Sequence, residues 1–316
     1  MTNASPPRFG RGLDRHLGGA ARKWEGLPGN VRGGVFAIVA ALFYSVLLAL
    51  IKEAGQSLHI TQVLFCRQAV MMCLVAPVLV RGLPGSLRTS RPGLHLIRIA
   101  GALTAMLLSF TALVHLPLAD ATTIAFARTF FMTIFAILLL GEVVGPRRWL
   151  AIAAGFVGVV IVMQPGGTAG FDIYALMRLA GAATAGFVMV IIRKLTQFDQ
   201  PITIMSYQVI GIGLLMALPA IWFWKTPTLT ELMLLVAIGA VSVVMQLCNI
   251  YAFRAAEASA IAPFDYLRLF FAIVLGLLFF AEWPGPHVFL GAGIIIAAAF
   301  YTLHRERQLA RKERSD

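Results

Sequence analysis

Long apolar stretches of this 316-residue chain contain a few ionisable groups that lipid does not tolerate unpaired. They are Arg67, Arg128, Asp265 and Arg268. Asp265 and Arg268 are three apart, which on a helix places them on one face within pairing reach. Arg128 has no acid at that spacing, because position 125 is alanine. An isolated guanidinium at membrane depth must find carbonyls, water or an anionic group brought by a solute. Arg128 and Arg268 therefore read either as structural donors to carbonyls or as walls of a polar cavity. Asp265 reads either as a static ion-pair partner or as a carboxylate that takes up a proton beside Arg268.

Uncharged polar groups extend the candidate cavity. Tyr44, Ser109, Gln246 and Asn249 lie in apolar runs, and Gln246 and Asn249 share a face at i,i+3. Each can line a solute site or simply bond another helix for about 0.6 kcal/mol. Tyr266, Phe131 and Phe271 flank the arginines and either stack on a solute or pack against neighbouring helices. Glu142 and Glu282 fall at helix C-termini, where the macrodipole disfavours an anion by up to about 1 kcal/mol. They read as interfacial residues that order the next turn, or as gates at opposite membrane faces. No catalytic residue, metal ligand set or cofactor fingerprint is expected. HExxH, GxSxG and GxxxxGK(S/T) are all missing from the sequence, which argues against an enzyme and against direct ATP coupling.

The elements that position these groups follow from composition. The chain is 59% hydrophobic and 13% charged, whereas a soluble domain carries about 25% charged residues. That excludes a soluble globule, a disordered chain and a disulfide scaffold, and the three cysteines all lie in apolar runs. Apolar stretches near 33–54, 60–81, 95–115, 118–141, 147–164, 172–193, 202–224, 230–254, 259–281 and 286–303 predict ten transmembrane helices. The net charge of +12 sits in the short segments between them, so it is read as a topology signal and not as a nucleic-acid surface. Basic residues gather in both tails, the 81–98 loop, Arg147-Arg148, Arg193-Lys194 and Arg254, against Lys52 and Lys225 on the other side. The expected topology is multi-pass in the inner membrane with N and C termini cytoplasmic, and residues 1–30 show no cleavable signal-peptide pattern.

The chain also repeats. At a shift of 140, residues 126–146 align without a gap on 266–286, placing Arg128 on Arg268, Phe131 on Phe271, Glu142 on Glu282 and Pro146 on Pro286. A weaker match pairs Lys52 with Lys194. The expected fold class is an all-α membrane protein whose ten transmembrane helices form two inverted five-helix repeats. The first is placed at 33–164 and the second at 172–303, with tails at 1–32 and 304–316. An odd number of spans per half makes the second half enter from the opposite face, an arrangement common in secondary transporters that bind near the midplane. Small residues Ala154 and Gly158, and Gly291, Gly293 and Ala297, predict close helix packing within the chain or in a homodimer.

The paired helix ends, Leu-Leu-Gly-Glu142 and Phe-Phe-Ala-Glu282-Trp-Pro-Gly-Pro286, resemble the drug/metabolite transporter superfamily, and within it the EamA-domain proteins. The stretch Ala262-Pro-Phe-Asp-Tyr-Leu-Arg268 is similar to one in amino-acid, amine and S-adenosylmethionine transporter members. The resemblance implies alternating access around a site lined by helices 1, 3, 4, 6, 8 and 9, and a small-molecule solute as partner. The leading expectation is a carrier for an amino acid, amine or S-adenosylmethionine-like solute. A vitamin, purine or carboxylate carrier is the alternative, and a channel or non-transporting scaffold is more remote. The sequence leaves open the substrate, the direction of transport, proton coupling and oligomeric state.

Overall fold

A computed structural model of the protein describes residues 29–81, 89–141, 146–163, 172–199, 201–255 and 264–313. The candidate gate residue Glu142 lies outside them. Among the described residues the regular secondary structure is helical, in eleven segments. These are α1 (Gly29–Ser57), α2 (Ile60–Arg81), α3 (Pro92–His115), α4 (Leu118–Ala125), α5 (Ala127–Leu140), α6 (Pro146–Met163), α7 (Ile173–Leu195), α8 (Pro201–Trp222), α9 (Leu229–Ala255), α10 (Leu267–Phe280) and α11 (Pro286–Glu313). Because α4 and α5 form one rod broken at Phe126, the rods correspond to the ten expected spans.

Local sequence explains where the rods start and stop. Four of them begin at proline, which has no N–H to orphan in the first turn and a helical φ. Asp172 caps α7 by accepting the Tyr174 N–H at 2.8 Å, and Arg193 and Lys194 complement the dipole in its last turn. Helix α11 runs on to Glu313, well past the predicted end at 303. A charged segment can stay helical once it has left lipid, so hydropathy marked the membrane edge and not the helix end.

The repeat is visible in how helices end. Helix α5 stops at Gly141 with φ +68°, and α10 stops at the equivalent Ala281 with φ +51°. Glycine takes the left-handed conformation at no steric cost, whereas alanine does not. The Ala281 turn is held because the Glu282 N–H returns to the Gly276 carbonyl at 3.0 Å. Ala281→Gly is accordingly expected to raise stability by up to about 1 kcal/mol. Thermal unfolding of the two purified proteins in the same detergent checks this, and a destabilised variant would contradict it.

Packing interlocks the halves. The most extensive pairings all join one repeat to the other: α1 with α9, α3 with α7, α6 with α11, α5 with α7, α2 with α8, α2 with α9, and α1 with α10. Exchanging the repeats converts the α1–α9 pair into α7–α3 and the α5–α7 pair into α10–α1, so the contacts obey a pseudo-twofold axis. The small-residue stripes are partly used inside the chain. A Cβ on Gly158 would stand 2.7 Å from the Gly291 carbonyl oxygen, so glycine is needed where α6 crosses α11. Ala154, Gly293 and Ala297 face outward. The outer surface is apolar, with Leu218 78% exposed, and Trp222 and Trp283 each 84% exposed at one end of the bundle. An apolar belt edged by tryptophan is the surface a bilayer requires.

Candidate functional site

The site grows out of the broken rod. Thr122 and Thr123 donate their hydroxyls back to the carbonyls of Leu118 and Ala119 at 2.7 and 2.8 Å, bonding that bends helices. At the bend the Phe126 N–H bonds Thr123 O and the Thr129 N–H bonds Phe126 O, both at 3.1 Å and both three residues apart. In the second repeat Tyr266 makes the same turn, and the Leu269 N–H bonds its carbonyl at 3.1 Å. The Phe126 and Tyr266 rings meet at 5.1 Å, so the two breaks face each other near the pseudo-twofold axis. Two residues beyond each break stand Arg128 and Arg268.

A cavity of about 150 Å³ opens here, bounded by α1, α3, α4, α5, α7 and the start of α10. It has room for on the order of ten water molecules. Tyr44, Ser109, Arg128 and Arg268 line it together with Phe110 and Arg178. The Arg268 guanidinium pairs with Asp265 at 2.6 Å and lies 4.3 Å from the centre of the Tyr44 ring. Its backbone carbonyl accepts the Ser45 hydroxyl at 3.0 Å. Arg128 has no hydrogen-bond or ion-pair partner among the described residues.

Arg178 was missed by sequence reasoning. It stands in the second turn of α7, where a cation reads as an interfacial residue, yet it is 2% exposed. Its Nε donates to Ala121 O at 2.8 Å and its Nη1 to Ser109 O at 3.1 Å, the Tyr44 hydroxyl faces the guanidinium, and the buried Nη2 makes no well-formed hydrogen bond among the described residues. The available signal was the small-residue face that follows it, Gly181, Ala182 and Ala185, which lets α3 and the cavity come close.

Other expected residues fall elsewhere. Gln246 and Asn249 are half-buried on α9, which packs along α1 and α2 and contributes nothing to the cavity wall. Phe131 meets Phe156 edge-on at 5.3 Å, and Phe271 meets Phe270 at 5.5 Å. Tyr266 lies behind the wall, against Phe126 and Phe300. Arg67 donates to the Ser242 hydroxyl at 2.8 Å and lies 5.9 Å from the centre of the Phe110 ring, outside the set of residues that line the cavity. Arg98, read as a surface topology charge, is 3% exposed and bonds Ile204 O at 2.8 Å and the Gln208 side chain.

Beyond the cavity, at the bundle end away from Gly29, the two halves are tied by charge. Lys52 of α1 donates to Leu116 O at 2.6 Å and pairs with Glu282. The second Glu282 oxygen accepts the Leu118 N–H at 2.8 Å. His287, the basic residue nearest Glu282 in sequence, instead faces Asp120 at 3.7 Å. At the opposite end, Asp199 joins the α7–α8 turn to α3. It accepts the Thr89 hydroxyl at 2.7 Å and lies 2.8 Å from His95 Nε2.

The Asp199 carboxyl is raised by burial, but hydrogen bonds from Thr89 and His95, the charge of His95 and the Ser90 N–H outweigh that and hold it below the usual range. A carboxyl whose folded value lies below its unfolded value near 3.9 contributes fully above about pH 4 and loses that contribution as pH falls through the lowered value. Asp199→Asn should therefore be less stable than wild type at neutral pH, with the difference shrinking in acid. Unfolding temperatures of both proteins across that range check the sign.

Comparison with known proteins settles the class. The model of the EamA-like transporter family matches residues 31–164 and 172–303. This chain belongs to the EamA-like transporter family. It is 32% identical to the pseudopaline exporter CntI of Pseudomonas aeruginosa over 87% of this chain and 97% of that one. A riboflavin transporter of Brucella anthropi is 28% identical over 87% and 99% of the two chains. An S-adenosylmethionine uptake transporter of Rickettsia bellii is 29% identical over 83% and 90%. A solved structure that is 20% identical shares the fold, with a TM-score of 0.61 over 88% of this chain and 98% of its own. The EamA chain is thus a multi-pass membrane transporter of small metabolites in the drug/metabolite superfamily, and not an enzyme.

Proposed function

We propose that this EamA protein is a secondary transporter that carries a small metabolite bearing a carboxylate, of the amino-acid or S-adenosylmethionine type, across the inner membrane by alternating access. One observation carries the reading: Arg128 lines the cavity with its guanidinium unpartnered among the described residues, flanked by Arg178 and Arg268. A planar donor fork of that kind matches a carboxylate bidentately. The Tyr44, Phe110 and Phe126 rings beside it offer π faces to an ammonium or sulfonium group of the same solute. A bare amine would meet these guanidiniums with like charge, so the carboxylate is the selective feature. In this reading Asp265 is a static partner that orients Arg268, and Glu282 belongs to a gate. The halves at 33–164 and 172–303 rock about the Phe126–Tyr266 contact, with both tails cytoplasmic.

The test is a thermal-shift screen of the purified protein. A ligand that binds only the folded state stabilises it by about 2.7 kcal/mol at one hundred times its dissociation constant. S-adenosylmethionine or carboxylate-bearing amino acids should stabilise, and their decarboxylated amines should not. Equal stabilisation by acid and amine, or stabilisation confined to riboflavin, would overturn the carboxylate reading.

A further inference from the structure

The charge around the cavity does not balance. Arg128, Arg178 and Arg268 line it, and the Arg67 guanidinium lies 5.9 Å from the centre of the lining Phe110 ring. Against them stands Asp265, which already holds Arg268. The other acids with described side chains are committed or remote. Asp120 faces His287 and Glu282 holds Lys52 at the gate, while Asp172 caps α7. Asp199 is bonded by Thr89 beside His95, Glu231 bonds Thr228, and Glu53 is exposed. Arginine does not relieve such an imbalance by losing its proton. Carbonyls satisfy two donor groups of Arg178 and the Tyr44 hydroxyl faces its guanidinium, but a hydroxyl is a dipole and not a counter-ion, and the Nε of Arg268 is buried with no hydrogen-bond partner among the described residues. Unpaired buried charge is costly, and a mobile counter-ion is what can remove the cost.

We propose that the cavity between Arg128 and Arg178 binds a small inorganic anion of the chloride class whenever no metabolite occupies it. The metabolite carboxylate and the inorganic anion take turns on the same donors, so the carrier reorients with its guanidiniums neutralised in both directions. The anchoring of Arg178 by Ala121 O and Ser109 O fixes one wall of the site in advance, and Arg128, unpartnered among the described residues, closes on the anion from the other. The proposal stands on the charge of the cavity and not on which metabolite is carried.

Equilibrium binding of ³⁶Cl⁻ to the purified protein in a chloride-free HEPES buffer tests it. Saturable binding near one anion per chain is expected, weakened tenfold or more by Arg128→Gln and largely restored by Arg128→Lys. Non-saturable binding, or equal binding to wild type and Arg128→Gln, would overturn the site. Should Arg128→Gln not be monodisperse, bromide-soaked wild-type crystals decide. An anomalous peak between Arg128 and Arg178 supports the proposal, and peaks only elsewhere reject it. Adding S-adenosylmethionine separates the two readings. Displacement of chloride supports both, whereas saturable, Arg128-dependent chloride binding untouched by any carboxylate metabolite upholds the anion site but defeats both its exchange with a carboxylate and the substrate assignment.

Discussion

In chloride-free buffer, Arg128→Gln is expected to weaken binding of the proposed carboxylate solute by about a hundredfold or more while leaving the unfolding temperature unchanged or slightly raised. The two halves of that expectation come from the same fact. Truncating one partner of a buried, hydrogen-bonded charge pair costs about 2–5 kcal/mol of binding, which is tenfold for each 1.4 kcal/mol. No such penalty falls on folding, because Arg128 makes no hydrogen bond or ion pair among the described residues. Removing its charge also relieves repulsion from Arg178 and Arg268 across the cavity. Ligand titrations followed by thermal shift check both halves. A variant that unfolds early but binds normally when folded would make Arg128 a structural residue. Arg268→Ala should behave differently, since it leaves Asp265 without its cation and exposes the Tyr44 face, so it should lose stability along with binding.

What the sequence made legible follows from what inverted repeats conserve. A shift of 140 placed Arg128 on Arg268 and Gly141 next to Glu142 where Ala281 precedes Glu282. The structure puts the corresponding helix breaks and helix ends at equivalent positions. Long apolar rods announce themselves by composition, because lipid forces every backbone group into a helix. Partnership across helices does not announce itself. Arg98 was read as a topology charge and Arg178 was passed over inside the 172–193 span, and only tertiary packing shows their carbonyl partners. Glu282 has His287 nearest in sequence, yet its cation comes from Lys52 in the other repeat. Conversely, Gln246 and Asn249 have the spacing of a site but sit on α9, the helix that packs along α1 and α2 and supplies no residue to the cavity lining. Helical periodicity tells which residues share a face; it does not tell which neighbour that face meets.

Breaking the Lys52–Glu282 pair is expected to produce the largest loss of stability of any single change considered. The Lys52 and Glu282 side chains are 7% and 20% exposed, so solvent screens the pair little. Lys52→Met leaves a carboxylate held by the Leu118 N–H alone, and Glu282→Gln leaves an ammonium held by Leu116 O. Stranding either charge should cost about 3 kcal/mol, whereas replacing both partners removes the stranded charge and should recover most of that loss. The double-mutant cycle in detergent therefore reads a coupling of about 2 kcal/mol or more, and additive losses below about 1 kcal/mol would reduce the pair to a solvated surface contact. Function adds a second expectation. Lys52 and Leu118 belong to the first repeat and Glu282 to the second, so rocking the repeats apart at this end must break the bonds that Glu282 makes to them. A folded Lys52→Met/Glu282→Gln protein should populate the form open at this end more than wild type does. Labelling of a cysteine placed at Thr122 by a water-soluble maleimide, in protein stripped of its native thiols, measures that population from this face. Faster labelling in the double variant than in wild type is the expected outcome, and equal rates would mean that the ion pair secures the fold without setting the gate.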